Sequence, residues 1–511
     1  MTNPVAAMRM LIIYAILIPV AILAGYLLTD PLNYGSMGFI GLIILVLIST
    51  IFIKWHYQIL IFGLGCPAVC FFLPGRPTLL QTVVLVSLGI AIVERTLSSE
   101  RRFIPVRAMT WPLLFIAAVV YMTAELTGGI GFHSLGGDTG GGKKYFSLIV
   151  GISSYFALTS RVIPAGRWKF YLALFMLPNI LGVLAELAPH LPGPLKSIGL
   201  IFPPNGLADP DADATSLRLT ALSIALGIVP TYLLARYGLR GIFLAGKLGR
   251  PALFLAGFAL ALTGGYRSNL IGFSITVTLI FIFEGLHRSR LMAPLVLLGA
   301  LAVAILATCS DQLPYTFQRS MSFLPFKWKP EVTMDADGST EWRLAIWRVT
   351  WPKVPEHLLL GKGYALSKED FDMIGGGEFS RFAASHIDAG DQSLAISDDY
   401  HSGPLSTLMC FGVWGGIGMV WLMGATLFVL YRNYKYGDPD MATFNVYMLA
   451  AGISSVFAFF FIFGGFHEDV GNIARYAGLS LAFNRGLAKR PAREGYTPPL
   501  KPLPAGAVQA A

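Results

Sequence analysis

Residues 402–431 read SGPLSTLMCFGVWGGIGMVWLMGATLFVLY, thirty positions without one charged side chain. A helix crosses the hydrocarbon of a bilayer with roughly 20 apolar residues, whereas a surface helix of a soluble protein shows polar residues at every turn. The run therefore predicts a transmembrane helix. Similar stretches recur in both directions. Their approximate cores are 10–28, 35–53, 57–74, 78–94, 109–126, 145–160, 170–187, 217–235, 251–265, 268–286, 291–309, 402–431, 441–464 and 472–486. With 55% hydrophobic residues, 13% charged residues and a mean hydropathy of +0.63, the composition lies far from the soluble balance. The expected fold is all-α, a polytopic transmembrane helical bundle of about 12–14 spans. Residues 1–486 form the integral membrane domain and 487–511, rich in Pro, Ala, Lys and Arg, form a disordered cytoplasmic tail. No soluble second domain is expected.

One long polar interruption stands immediately before that first run. Residues 310–401 hold nine of the 38 Lys and Arg residues, contain Arg343-Leu-Ala-Ile-Trp347-Arg348 and end in Asp398-Asp399-Tyr400-His401. Short loops rich in Lys and Arg stay on the cytoplasmic side. With the N-terminus inside, the inner connections and both tails hold 22 such residues and the short outer loops seven. That asymmetry predicts cytoplasmic N- and C-termini and places 310–401 outside. The net charge of +9 is thus mostly topology. Its dispersal over inner loops, with no basic face interleaved with aromatics, speaks against a nucleic-acid partner. The first apolar run is long enough to stay as an anchor, not a cleaved signal. Cys66, Cys70, Cys309 and Cys410 fall in or beside spans, at no metal-ligand spacing, so core positions are expected for them.

Four local patterns carry possible chemistry. Gly137-Asp-Thr-Gly-Gly-Gly142-Lys143-Lys144 resembles a phosphate loop, but Lys144 stands where a magnesium-holding hydroxyl belongs and the segment follows an apolar helix, not a strand. A flexible glycine loop is the plain reading, with Lys143 and Lys144 as candidates to hold an anionic lipid headgroup. Asp209, Asp211 and Asp213 begin like a calcium loop, yet Ala214 and Thr220 occupy the places of its required Gly and Glu. His467-Glu468-Asp469 reads as a hydrated cap on the preceding span. Gly264-Gly265-Tyr266-Arg267-Ser268-Asn269-Leu270 is a polar hinge between two apolar runs, and alone Arg267 would be a snorkelling interface residue.

The last pattern changes meaning because Arg267, Arg343, Arg348 and His401 are all expected on one side of the membrane. Guanidinium groups bind phosphate oxygens in paired planar hydrogen bonds, and a histidine beside them can take a proton from a hydroxyl near neutral pH. Intramembrane carboxylates are few, Glu125, Glu186 and Glu284 lying near span ends, and no internal repeat is visible, both of which weigh against an ion-coupled transporter.

Taken in order, the Arg267 hinge, Arg343-x-x-x-Trp347, Pro355, Gly361-Lys-Gly363, His401 opening a span and Phe411-Gly412-Val413-Trp414-Gly415-Gly416 resemble the O-antigen ligases and the related O-antigen polymerases of bacteria. The resemblance covers roughly 250–420. It implies a glycosyltransferase-C-like helical enzyme of the bacterial inner membrane. Such an enzyme moves a glycan from undecaprenyl diphosphate to a glycan or lipid-glycan acceptor in surface polysaccharide or lipopolysaccharide biosynthesis, without cofactor or metal. Catalytic roles then fall to His401, Arg343 and Arg267. Arg348 is a weaker binding candidate, since five residues from Arg343 it points about 140° away on an ideal helix. Tyr266 and Ser402 depart from the family's common Ser and Asn and bear on acceptor identity. Ligase and polymerase readings stay open, as does a lipid-linked glycan flippase or secondary transporter, or a non-catalytic scaffold.

Overall fold

A computed structural model describes residues 52–98, 103–104, 106–128, 141–203, 219–289, 292–365 and 400–489, with scattered positions between 14 and 26. Two compact units divide the chain at Ile59 and Leu60. The described part of the first is helical. The second holds the helices numbered next.

Its long helices are α1 (Leu79–Leu97), α2 (Arg107–Thr127), α3 (Gly142–Thr159), α4 (Trp168–Met176), α5 (Thr220–Leu239), α6 (Gly249–Ala261), α7 (Arg267–Phe283) and α8 (Met292–Cys309). After α8 come α9 (Tyr315–Met321), α10 (Pro330–Thr350), α11 (Gly403–Tyr436), α12 (Ala442–Phe461) and α13 (Phe466–Phe483). Among the described residues, six helical stretches are long and apolar enough to cross a membrane, and shorter apolar helices accompany them. The chain is a multi-pass, all-α membrane protein. The first two expected spans lie almost wholly outside the described residues, as do Asp209, Asp211, Asp213, Asp398 and Asp399.

Three expectations need correction. The stretch 57–74 is helical only to residue 65, because Pro67, Pro74 and Pro77 cannot donate within a helix. The chain instead folds into a turn, with Cys70 N–H donating to the Pro77 carbonyl at 2.8 Å and Leu79 N–H to that of Ala68 at 2.8 Å. Its exit is a capping box, in which Gln81 N–H donates to Thr78 Oγ1 at 3.2 Å and Thr78 N–H to Gln81 Oε1 at 2.9 Å. The interruption 310–401, read as a wet loop, contains α9 and α10. Finally, His467-Glu468-Asp469 does not cap the preceding span but forms the first turn of α13, which starts at Phe466 and not at 472.

The core lies where α2, α3, α11 and α13 pack, around Met109, Leu113, Ile116, Phe411 and Phe466. α3 and α13 can meet closely because Gly151 faces Gly471: a β-carbon on Gly151 would lie 2.8 Å from the Gly471 Cα. Two carboxylates near span ends serve as caps. Glu186 accepts the Ala221 and Leu222 N–H groups at the start of α5, and Glu284 accepts those of Leu239 and Arg240. Orphan N–H groups at a helix terminus need such acceptors.

The helix that opens at His401 is broken. Gly412 takes φ +60°, ψ −158° inside α11, and the loop 358–363 supplies the missing partners. Lys362 N–H donates to the Met409 carbonyl at 2.8 Å, Gly363 N–H to that of Cys410 at 2.9 Å, and Val413 N–H to that of Leu358 at 2.7 Å. Irregular backbone at membrane depth persists only where protein satisfies it. The loop approaches so closely that a β-carbon on Gly361, at φ +77°, would sit 2.3 Å from the Cys410 oxygen. Gly361→Val is expected to destabilise the protein by at least ~3 kcal/mol, from hydrogen bonds of about 1 kcal/mol each and a left-handed backbone strain of ~1–3 kcal/mol. Thermal melting and membrane yield report the effect. Melting within about 1 °C of the parent would contradict this stitching role.

Candidate functional site

The hinge between α6 and α7 is shaped by its own backbone. After a tight turn at Leu262–Gly264, Gly265 lies in the left-handed region at φ +69° and Tyr266 is extended, so that α7 starts at Arg267. Tyr266 is tied to α5 through a 3.1 Å hydrogen bond between its hydroxyl and Thr220 Oγ1. Arg267 then reaches across to α10, donating to the Ala336 carbonyl at 2.8 Å and to Thr340 Oγ1 at 3.1 Å. One turn further along α10 is Arg343.

A third arginine joins these two. Arg319, on α9, is 6% exposed. Its Nε donates to Asp335 Oδ2 at 2.6 Å, its second amino group to Oδ1 at 3.4 Å, and its remaining nitrogen to the Gly265 carbonyl at 2.6 Å. Tyr315 donates its hydroxyl to the same Asp335 oxygen at 2.8 Å. One guanidinium thus fastens the hinge that carries Arg267 to the helix that carries Arg343. Arg319 and Arg343 both bear electrostatically on Arg267, opposed by Asp335 and Asp337. Arg343 is half-buried, and burial, followed by the nearby Arg319 charge, lowers its pKa from the ordinary guanidinium value. Its Nε is buried without a hydrogen-bond partner among the described residues. Three guanidiniums face two carboxylates, and at least one buried N–H donor awaits an acceptor. That arrangement suits an oxyanion.

His401 meets α10 at the residue before Arg343. Its backbone is left-handed at φ +47°, a conformation that histidine tolerates better than most residues. Its ring contacts Trp342, at 4.7 Å between centroids, and Phe463, at 4.9 Å. Trp342 precedes Arg343 directly. Trp347, one turn beyond Arg343, donates its indole N–H to the Tyr400 carbonyl at 2.8 Å. α10 therefore orders both the arginine and the histidine segments.

The remaining candidates separate from this group. Arg348 is exposed, as its helical angle from Arg343 predicts. Lys143 and Lys144 fall in the first turn of α3, Lys143 exposed and Lys144 with its ammonium 5.2 Å from the Tyr364 ring centre. A cation at a helix N-terminus opposes the dipole, and the aromatic face offsets part of that. Gly137–Gly140 lie outside the described residues, but α3 follows helix α2, not a strand, which leaves the phosphate-loop resemblance without its fold. The four cysteines are free thiols. Among the described residues, no group of three or more His, Cys, Asp and Glu side chains could hold a metal ion.

Residues 251–420 match the family model for O-antigen ligases. That stretch is similar to the O-antigen ligases. It covers a third of the chain and contains Arg267, Arg319, Asp335, Arg343 and His401, whereas α1 to α5, α12 and α13 fall outside it. No curated protein matches the chain.

Within the matched stretch, Arg319 and Asp335 were not legible as candidate site residues. They stand 16 positions apart, on different helices, and no local spacing marks them. An arginine five residues after Pro314 reads as one more loop charge. Their pairing predicts a double-mutant signature. Arg319→Leu should cost about 1–3 kcal/mol by stranding Asp335, while Arg319→Leu with Asp335→Leu should regain most of that. If the pair also positions the hinge, glycan transfer stays low in the stable double variant. Full recovery of both melting temperature and transfer would show that it does not.

Proposed function

We propose that this protein is a glycosyltransferase that moves a glycan from an undecaprenyl-diphosphate carrier to an acceptor hydroxyl. The reaction would take place on the outer face of the bacterial inner membrane, where the charge asymmetry of the loops puts residues 310–401. The observation that carries this reading is the convergence of Arg267 and Arg343 on the Arg319–Asp335 pair, inside the stretch similar to the O-antigen ligases. Arg267 and Arg343 would bind the diphosphate through paired hydrogen bonds and stabilise the charge that grows on it. The acceptor oxygen attacks the anomeric carbon, the bond from that carbon to the diphosphate oxygen breaks, and the diphosphate leaves with the electron pair. His401 would orient the acceptor hydroxyl and receive its proton. Arginine supplies positive charge without a metal, so the reaction is written as metal-independent.

A cavity of about 810 Å³ beside the hinge, lined in part by Tyr266, Ser268, Asn269, Phe273 and Thr276, runs between α5, α7 and α12 and would receive the part of the donor nearest the lipid. Lys143 and Lys144 remain candidates for a headgroup contact, and Arg348 for a peripheral one. Ligase and polymerase share this chemistry and differ in acceptor. Deleting the gene separates them: a ligase leaves lipid-linked polymer to accumulate, a polymerase leaves lipid-linked single units. Accumulation of neither would overturn the transferase reading.

A further inference from the structure

α13 carries a second polar group. His467, Glu468, Asn472 and Arg475 recur at one-turn and two-turn spacing along a helix most of whose other positions are buried. Arg475 folds back along α13 toward Gly471, whose missing side chain leaves room for the guanidinium, and hydrogen-bonds Asn472. Among the described residues no carboxylate lies within salt-bridge distance of it. An ionisable residue within a membrane bundle faces a partner, a cavity or a substrate path. Here it faces a chamber of about 260 Å³ between α1, α3 and α13, whose polar lining is Gln81, Ser147, His467, Glu468, Asn472 and Arg475, together with Thr78.

The chemistry of that lining is mixed. The capping box of α1 uses Thr78 Oγ1 and Gln81 Oε1 as acceptors, which leaves the Gln81 amide N–H groups and the Thr78 hydroxyl proton as donors. Asn472 and Ser147 offer both kinds of atom. Glu468 bears electrostatically on Arg475 and lies 3.8 Å from His467 Nε2, so the chamber sets one arginine and one carboxylate beside an imidazole. An anion gains little where Glu468 stands beside Arg475, an apolar lipid chain gains nothing, and His467 with Glu468 falls short of the three ligands a metal site needs. A neutral ring bearing several hydroxyls matches alternating donors and acceptors on three rigid helices. The volume lies just below the roughly 300–1,000 Å³ of sites for drug-sized ligands, room for one sugar ring and not for an oligosaccharide.

Position links the chamber to the reaction. Glu468 and Asn472 also line the larger cavity that begins at Tyr266, so the two spaces share a wall. Phe463, which packs on His401, precedes His467 by four residues. We propose that this chamber binds a single neutral sugar ring and receives the acceptor end of the glycan. The acceptor assignment rests on the transferase reading; sugar binding itself does not.

The test uses full-length protein in lipid nanodiscs free of sugar detergents. Ligand-observed saturation-transfer spectra are recorded with the methyl glycosides of glucose, galactose, mannose and N-acetylglucosamine. At least one should bind the parent protein and Arg343→Gln alike, and bind at least about tenfold more weakly to Arg475→Met and to Ser147→Leu, a difference of about 1.4 kcal/mol. Ser147→Leu fills the chamber without removing a charge, and so covers the case in which Arg475→Met does not fold. Binding of none of the four, undiminished binding in both chamber variants, or loss in Arg343→Gln would each overturn the site. In transfer assays, Ser147→Leu should raise the acceptor KM about tenfold with kcat nearly unchanged. Unchanged KM, with sugar binding lost as expected, would remove the acceptor role and keep the site. Absence of transfer by the parent protein would count against the transferase reading alone.

Discussion

Arg343→Lys should lose about a hundredfold in transfer while keeping its charge, because an ammonium cannot reproduce the planar fork of a guanidinium. The structure sharpens the expectation in two ways. Arg343 is half-buried beside Arg319, with its Nε buried and unpartnered among the described residues. A shorter, more strongly hydrated head would withdraw from that position and leave a diphosphate oxygen unpaired, and one lost hydrogen bond to a charged group amounts to about 1.5–3 kcal/mol. Arg267→Ala should fail similarly, since it removes a donor and also the tie to Ala336 and Thr340. Initial rates in membranes, with protein amounts matched, measure both. Arg348→Ala serves as the exposed control and should stay within about threefold of the parent, a difference of about 0.6 kcal/mol.

His401→Ala should slow the chemical step by about a hundredfold or more while leaving donor binding intact, the usual loss when a positioned proton acceptor is removed. The left-handed backbone at His401 complicates that variant, because alanine is strained there and the start of α11 could shift. His401→Asn answers the complication. Asparagine accepts the same backbone conformation but takes no proton near neutral pH. Equal losses in both variants, with kcat reduced and donor affinity unchanged, point to proton transfer. Recovery in His401→Asn would instead assign the residue to shaping the turn before α11.

Much of the fold was legible because membrane spans are written in composition. The charge-free run at 402–431 is α11 almost from end to end, and the runs at 109–126 and 268–286 are α2 and α7. Where backbone overrides hydropathy, the sequence misleads. Three prolines between 67 and 77 end the third apolar run early. α13 begins six residues before its apolar part, since Phe466 and Val470 enter the core while Glu468 and Asn472 line cavities. Arg267, Arg343 and His401 could be nominated because their residue types and expected membrane side implied chemistry. Arg319 and Asp335 could not, because the meaning of that pair comes from its contact with Gly265. Gly361, Gly363 and Gly412 were visible as a motif, but only the structure explains them, as the backbone that fills a gap in α11.

The most direct measurement follows both products of a single reaction. Purified protein in proteoliposomes is supplied with labelled undecaprenyl-diphosphate glycan and an acceptor glycan, and the free carrier diphosphate is counted against new glycosidic bonds. The account predicts one undecaprenyl diphosphate released for each bond formed, with both yields falling together in Arg343→Lys and His401→Ala. Glycan that crosses the bilayer still attached to its carrier, with no diphosphate released, would contradict it.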